Sequence, residues 1–205
     1  ELLEPISSDL SKQIFQNIEK VVDEVDLIIL SDYAISIFSN DLIKDIVKLA
    51  NKHDKTILMD PKGQDFSKYQ GVDVLVPNYE EAMIATKSSK TKPIKKIAEV
   101  LRKTADKVVI TRSSKGAYYF DGVDEIELPA VSKDVVDATG AGGSFVAFLG
   151  LGLVCSNFDY NVALPLANYA AAAAVKKVGT FAVTQVQLKE IINIAYNNAG
   201  KGFAK

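Results

Sequence analysis

The residues able to do chemistry in this chain gather at the ends of apolar runs. Ser31-Asp32 follows the run 27–30, and Asp60-Pro61-Lys62 follows 56–59. Asn78, with Glu80 and Glu81, follows 72–76, and Thr111-Arg112-Ser113 follows 107–110. Carboxylates, a lysine, an arginine, a carboxamide and hydroxyls are groups that hold anions and hard cations. Strand ends are polar in most proteins, because they meet solvent. Four successive ends carrying such ligands point further, since an open α/β sheet binds its ligand beyond the carboxyl ends of its strands.

A second concentration is Asp137-Ala138-Thr139-Gly140-Ala141-Gly142-Gly143, which leads directly into an apolar helix pattern. Glycines at a helix start let bare backbone N–H groups approach an anion, and the helix dipole helps to hold it. A Walker loop would end in Gly-Lys-Ser/Thr, and this segment does not. By residue chemistry alone it is an anion-binding helix start.

The elements that must position these groups follow from periodicity. Ser8 to Val25 carries apolar residues at helical spacing with Ser7 or Ser8 as N-cap, and Asn40 to Lys52 repeats the pattern. The continuous apolar runs predict strands covered on both faces. Pro93 to Ala105 predicts a helix opened by proline. Ala117–Phe120 and Glu125–Leu128 flank Asp121-Gly122 as a hairpin pair. Helices are predicted over 142–155, 160–177 and 185–198, with Pro165 in the first turns of its helix or kinking it. Glu80 and Glu81 either serve a ligand or simply open a helix at its favourable end. Alternating strands and helices predict a three-layer αβα sandwich with a mainly parallel sheet, occupying 1–198, and a tail or linker start over 199–205.

The bulk composition excludes several classes. The chain has 205 residues, 48% hydrophobic and 24% charged, with net charge −2. No basic stripe favours nucleic acid, and no apolar run is long enough to span a bilayer. The start, with Glu1 and Glu4 and no apolar core, does not read as a signal peptide, and Glu1-Leu2-Leu3-Glu4-Pro5 reads as mid-protein sequence. A cytoplasmic protein is expected. One cysteine, Cys155, lies in an apolar run and is expected in the core. The one histidine, His53, is expected on a surface loop. Neither supports a metal cluster or a hydrolase triad. No Gly-x-Gly-x-x-Gly follows the first strand, which argues against a dinucleotide-binding dehydrogenase.

With these motifs in place, the chain resembles the ribokinase-like (phosphofructokinase-B type) sugar kinases. Their signature is Asp-x-Thr-Gly-Ala-Gly-Asp, and residues 137–143 match it until the last position. Asn78-Tyr79-Glu80-Glu81 is similar to the family's Asn-x-x-Glu, and Thr111 to Gly116 resembles its nucleotide-carrying turn. Asn168 and Val178-Gly179-Thr180 resemble the adenine-side segment. Leu30-Ser31-Asp32-Tyr33-Ala34 and Asp60-Pro61-Lys62-Gly63 look like the heptose-phosphate kinase branch of ADP-heptose and lipopolysaccharide core synthesis. That branch usually continues with Lys-Gly where this chain has Ile35-Ser36. The resemblance does not include the family's N-terminal third, with its sugar-binding Gly-Gly segment and lid.

The resemblance implies an ATP-dependent carbohydrate kinase with ATP and Mg²⁺. Gly140, Ala141 and Gly142 would form the anion hole, and Gly143 stands where the family has its catalytic Asp. Nucleotide would be held by Asn78, Thr111, Ser113, Gly116, Thr139, Asn168 and Gly179. Asp32 and Lys62 would face the sugar phosphate, and Glu81 with Asn78 would support Mg²⁺, through water if not directly. Asp137 falls at the motif start, as a structural or cation-side residue. A homo-oligomer of the full-length protein and a fused nucleotidyltransferase after Lys205 also fit this branch. Glycine at 143 keeps two other readings open: a module that holds nucleotide without transfer, and a kinase for another sugar or nucleoside.

Overall fold

The computed structural model describes residues 5–34, 36–132 and 135–201. Expectations resting on Glu1, Glu4, Ile35 and residues beyond 201 lie outside the described residues. The chain divides into two compact units. The first comprises 1–111 with 118–126, and the second 112–117 with 127–205.

The first unit is built around parallel strands β1 (Leu27–Ser31), β2 (Thr56–Asp60), β3 (Val72–Leu75) and β4 (Ala105–Thr111). They lie in sequence order in a six-stranded sheet completed by β5 (Ala117–Phe120) and β6 (Glu125–Leu128). Register runs Leu27↔Thr56 to Ser31↔Asp60, then Leu58↔Val74, then Val72↔Ala105. Parallel pairing needs a crossover between successive strands. The helix α1 (Ser8–Val21) leads into β1, α2 (Asn40–Lys52) joins β1 to β2, a 3₁₀ turn over Ser67–Tyr69 lies between β2 and β3, and α3 (Tyr79–Ala85) with α4 (Ile94–Leu101) joins β3 to β4. The mainly parallel sheet flanked by helices is the expected αβα architecture.

Sequence explains these elements locally. Ser7 Oγ accepts the Leu10 N–H at 3.2 Å and Ser39 Oγ accepts that of Leu42 at 3.1 Å, so each helix opens on a hydroxyl cap. The inner face of α2 buries Leu42, Ile43, Ile46, Leu49 and Ala50. Full burial of each Leu or Ile contributes roughly 1.5–3 kcal/mol against the unfolded chain. Of these, Leu42, Ile43, Ile46 and Ala50 join Ile57, Met59, Leu75, Ile97, Val108 and Ile110 in one core. By contrast α1 buries no residue and leans on that core through Ile14, Phe15 and Ile18.

Several boundaries differ from expectation. The first helix ends at Val21 and tightens into a 3₁₀ turn over Val22–Glu24. The helix expected to reach Ala105 stops at Leu101, and β4 already begins at Ala105. The apolar face ends with Leu101, and Arg102 turns back to donate to the Asp106 carbonyl at 2.8 Å. His53 lies in the turn just past α2, as its C-cap, and its Nδ1 lies 2.6 Å from Asp23 Oδ1.

The second unit holds α5 (Ala141–Cys155), α6 (Tyr160–Ala174) and α7 (Gln185–Lys201). The last helix continues past the expected Asn198. Pro165 lies inside α6. A Cβ on Gly152 would come within 2.9 Å of the Ala163 Cα, so α5 and α6 meet backbone to backbone. Cys155 is exposed rather than in the core. Because α5 is apolar nearly all round, its sequence gives no facing for that thiol.

Candidate functional site

In the first unit, strand ends bring Ser31, Asp32, Asp60, Lys62 and Glu81 into one network. Ser31 Oγ donates to Asp60 Oδ2 at 3.1 Å across the β1–β2 register. Asp32 is 2% exposed, and its carboxylate accepts from the Ala34 N–H at 2.8 Å, Lys68 Nζ at 2.6 Å and the Tyr69 hydroxyl at 2.6 Å. Burial works against its ionisation, but the Lys68, Tyr69 and Ala34 donors outweigh it and hold the carboxyl below the usual range. Asp32 therefore anchors the loop after β1. Burial, then the bond to Asp32, pushes the Tyr69 phenol well up. The same phenol receives the Lys62 N–H at 3.1 Å, tying the two loops together.

Asp60 is pushed up chiefly by burial, with Glu81 and Asp32 adding in the same direction against Ser31 and Lys62. Sequence reasoning placed it at a strand end without giving it a role. Its burial and its neighbours come from tertiary packing.

Asn78 opens α3 with a reciprocal capping box: Asn78 Oδ1 accepts the Glu81 N–H, and Glu81 Oε2 accepts the Asn78 N–H, both at 2.9 Å. The other carboxylate oxygen, Oε1, takes an ion pair from Lys62 Nζ. Burial would weaken the Lys62 ammonium's hold on its proton, but the Glu81 bond more than reverses that. Asn78 also bridges to Thr111, whose N–H donates to the Pro77 carbonyl at 3.0 Å.

Whether Asn78 and Glu81 fit a divalent cation can be judged from these bonds. Both Glu81 oxygens and the Asn78 carbonyl are already engaged. Among the described residues no group of three or more His, Cys, Asp or Glu side chains could hold a metal ion. As it stands, the arrangement does not offer Mg²⁺ a direct ligand set.

The second unit carries the glycine-rich helix start. Gly140 is left-handed at φ 81° and stands at the N-cap of α5, where a Cβ would meet Thr180 Cγ2 at 3.2 Å. Ala141 donates to the Ala138 carbonyl and Ser144 to that of Gly140. This leaves Gly142 and Gly143, among the described residues, as the first-turn donors without a turn carbonyl. A Cβ at either would meet nothing within 4 Å, so the space before them is open.

Asp137 fastens this start. Its Oδ1 accepts Thr139 N–H at 2.9 Å and Thr139 Oγ1–H at 2.7 Å, and its Oδ2 accepts the Gly179 N–H at 2.8 Å. The Gly179 bond, then those of Thr139, lowers its pKa to about 2. Thr139, Gly140, Gly179 and Thr180 are thus brought together. Asn168 is buried and donates to the Pro129 carbonyl at 2.8 Å. Ser113 (φ 51°) and Gly116 (φ 79°) shape the turn after β4, where Gly116 N–H meets the Ser113 carbonyl at 3.0 Å. A Cβ on Gly116 would sit 1.9 Å from the Leu128 carbonyl, so only glycine fits there. Arg112 braces the turn, donating through Nη2 to Lys115 O at 3.1 Å and to Glu127 Oε1 at 2.8 Å. No helix among the described residues is long and apolar enough to cross a membrane.

The family model for the pfkB family carbohydrate kinases matches residues 2–186. Bifunctional protein HldE of Helicobacter pylori (strain G27) is 33% identical over 197 residues, 94% of this chain and 42% of the relative. The protein of the same name in Helicobacter hepaticus is 37% identical over 200 residues, 95% of this chain and 41% of the relative. This chain thus spans about two fifths of the length of those relatives. Among solved structures, phosphofructokinase-2 from Escherichia coli in complex with potassium aligns with a TM-score of 0.77 at 19% identity, covering 94% of this chain and 64% of the other. Ribokinase of Arabidopsis thaliana complexed with ribose and ATP aligns at 0.71 and 20%, covering 94% and 60%. At those identities the structural likeness concerns the fold, while the family match and the relatives concern descent: the chain belongs to the pfkB family of carbohydrate kinases.

Proposed function

We propose that this chain is the phosphoryl-transfer portion of an ATP-dependent sugar kinase of the heptose 7-phosphate branch. The observation that carries the reading is the open helix start at Gly140–Gly143, held by Asp137, in a chain 33–37% identical to proteins named HldE. In the reaction, an acceptor hydroxyl oxygen bonds to the γ-phosphorus, the bridging P–O bond breaks, ADP departs with that electron pair, and the hydroxyl proton passes to water. The Gly142 and Gly143 N–H groups face the charge that develops on the transferred group. Thr111 to Gly116, Thr139, Asn168 and Gly179 belong to the nucleotide side of this reading. Lys62 belongs to the sugar-phosphate side, and Asp32 supports its loop. Mg²⁺ accompanies nucleotides in such kinases. A cytoplasmic enzyme, a homo-oligomer and a fused nucleotidyltransferase complete the proposal.

Gly143 favours a second reading, a module that holds nucleotide without transfer. Glycine accepts no proton, and loss of a general base costs ~10²–10⁴-fold in rate. The test assays the protein carrying this chain with ATP against heptose 7-phosphate and a panel of sugars, with Gly143 and as Gly143→Asp. Slow transfer that rises by ~10²–10⁴-fold in the variant supports the kinase reading. Unchanged full activity would place the proton acceptor elsewhere. Nucleotide binding without transfer in either form would favour the holding module.

A further inference from the structure

The net charge of −2 hides an uneven distribution. Residues 87–103 carry six lysines and Arg102 against one carboxylate, Glu99, so this segment sums to +6 and the rest of the chain to −8. It comprises the link from α3 to α4, then α4 and the turn after it. The link is held by its own hydrogen bonds. The Ser88 N–H donates to the Met83 carbonyl at 2.9 Å, Thr86 Oγ1 meets Ser88 Oγ at 2.7 Å, and the Lys92 N–H donates to the Ser89 carbonyl at 3.0 Å. In α4, Ile97, Ala98 and Leu101 take the buried face, and Lys95, Lys96 and Lys103 are exposed, as are Lys87 and Lys90. Lys96 pairs with Glu99 at 2.8 Å and Lys95 with Glu125 at 3.4 Å. Lys87 faces Asp65, whose carboxyl is held low first by its bonds to Ser67 and then by Lys87 and Lys68. Among the described residues, Lys90, Lys92 and Lys103 have no such partner.

This placement works against the fold. Pro93 opens α4 without a side-chain cap, and the first turn holds no acidic residue; Lys95 and Lys96 stand there instead. Cations at a helix N-terminus oppose its dipole, and a lysine ahead of its glutamate is the weaker orientation of such a pair. A breach of local preference that brings no gain inside the fold is expected where a surface serves something outside it. Residues 80–104 include no aromatic ring, and Arg102 is occupied, with Nε on the Asp106 carbonyl and its guanidinium 5.9 Å from the Phe120 ring. Stacking on nucleobases needs aromatic or guanidinium faces, whereas ammonium groups on flexible stems suit a diffuse layer of negative charge. Ile84, 51% exposed, and the exposed Pro93 add apolar contact at either end of the link. We propose that the link 86–93 and the outer side of α4 form a docking surface for an anionic phospholipid membrane, which the chain meets without crossing. The proposal does not draw on the kinase reading.

Each lysine brought to such a surface contributes about fivefold in affinity, and three contribute about a hundredfold. The attraction fades as added salt shortens the Debye length. The test is sedimentation of the protein carrying this chain with vesicles of phosphatidylcholine, alone or mixed equally with phosphatidylglycerol. Wild type binds the mixed vesicles at low salt and not the neutral ones. Lys87→Gln, Lys90→Gln and Lys92→Gln combined bind about a hundredfold more weakly, while arginine at the same three positions keeps the binding. Lys44→Gln, Lys48→Gln and Lys52→Gln combined remove the same charge from exposed positions of α2 and also keep it. Urea unfolding run alongside verifies that the compared variants are folded. Equal binding to neutral and anionic vesicles overturns the proposal, as does an equal loss in the α2 variant, which would make overall charge the cause. Binding to a DNA or RNA oligonucleotide in place of vesicles, lost with the link lysines, overturns it in favour of a nucleic-acid partner.

Discussion

Gly143→Asp is informative about structure before any activity is measured. Residue 143 is the third position of α5, and an added Cβ meets nothing within 4 Å. Its backbone is not in the left-handed region, so a side chain brings no strain. Replacing glycine in a helix gains up to about 1 kcal/mol for alanine, and aspartate's poorer propensity returns up to about 0.7 kcal/mol of that. A carboxylate in the first turn of a helix adds about 0.3–1 kcal/mol through the dipole and free N–H groups. The expected net effect is a stabilisation of about 0.5–1.5 kcal/mol at neutral pH. In a chain of this size that raises Tm by about 1–6 °C. Urea unfolding at pH 7 and at acid pH measures it. The helix start lowers the introduced group's folded pKa, so the gain is present above its unfolded pKa. It is lost as pH falls through the folded one. A variant less stable than wild type at pH 7 would refute the open first turn assigned to Gly143, whatever its kinetics.

Three further outcomes follow from the same geometry. Gly152→Ala should lower stability by about 1–3 kcal/mol in urea unfolding, because its Cβ would press within 2.9 Å of Ala163 Cα. Asn168→Ala should cost about 1–3 kcal/mol by leaving the Pro129 carbonyl unpaired, provided no water replaces the amide. Asp137, lowered from 3.8 to about 2, stabilises the fold above its unfolded pKa and loses that contribution as pH falls between those values. Acid unfolding of Asp137→Asn should show a correspondingly smaller loss over that interval, and an identical acid profile would dissociate Asp137 from the loop at Gly179.

Much of this was readable from residue order. The period of Asn40–Lys52 and the two four-residue runs around Asp121-Gly122 match the observed elements residue for residue, because one apolar face or one tight turn dictates each. The helix start at Gly140 was readable because its glycines leave few alternatives. The pairings were not. Nothing local links His53 to Asp23 or Lys62 to Glu81, since each pair meets only after the strands align. The seven-residue α3 was weakly marked for a related reason. From sequence, Glu80 and Glu81 read either as ligands or as the opening of a helix, and the structure shows a helix opened there by a capping box. For α5, apolar on all sides, composition established burial but not facing, and Cys155 was misplaced as a result.

The order of the parallel strands has a consequence for how the chain acquires its structure. Each of β1, β2 and β3 pairs with the strand next made, across a single crossover. A growing chain can therefore add β2 to β1 before β3 exists, and β3 before β4, with no early strand waiting for a distant partner. Such local pairing lowers the contact order of the sheet and favours faster folding than an interleaved order would allow. It also gives the two ends of the series different sensitivities. Changes in β4 leave earlier pairings intact, whereas changes in β2 interrupt the series near its start. Pulse-labelled hydrogen exchange during refolding should show protection advancing from β1 and β2 toward β4.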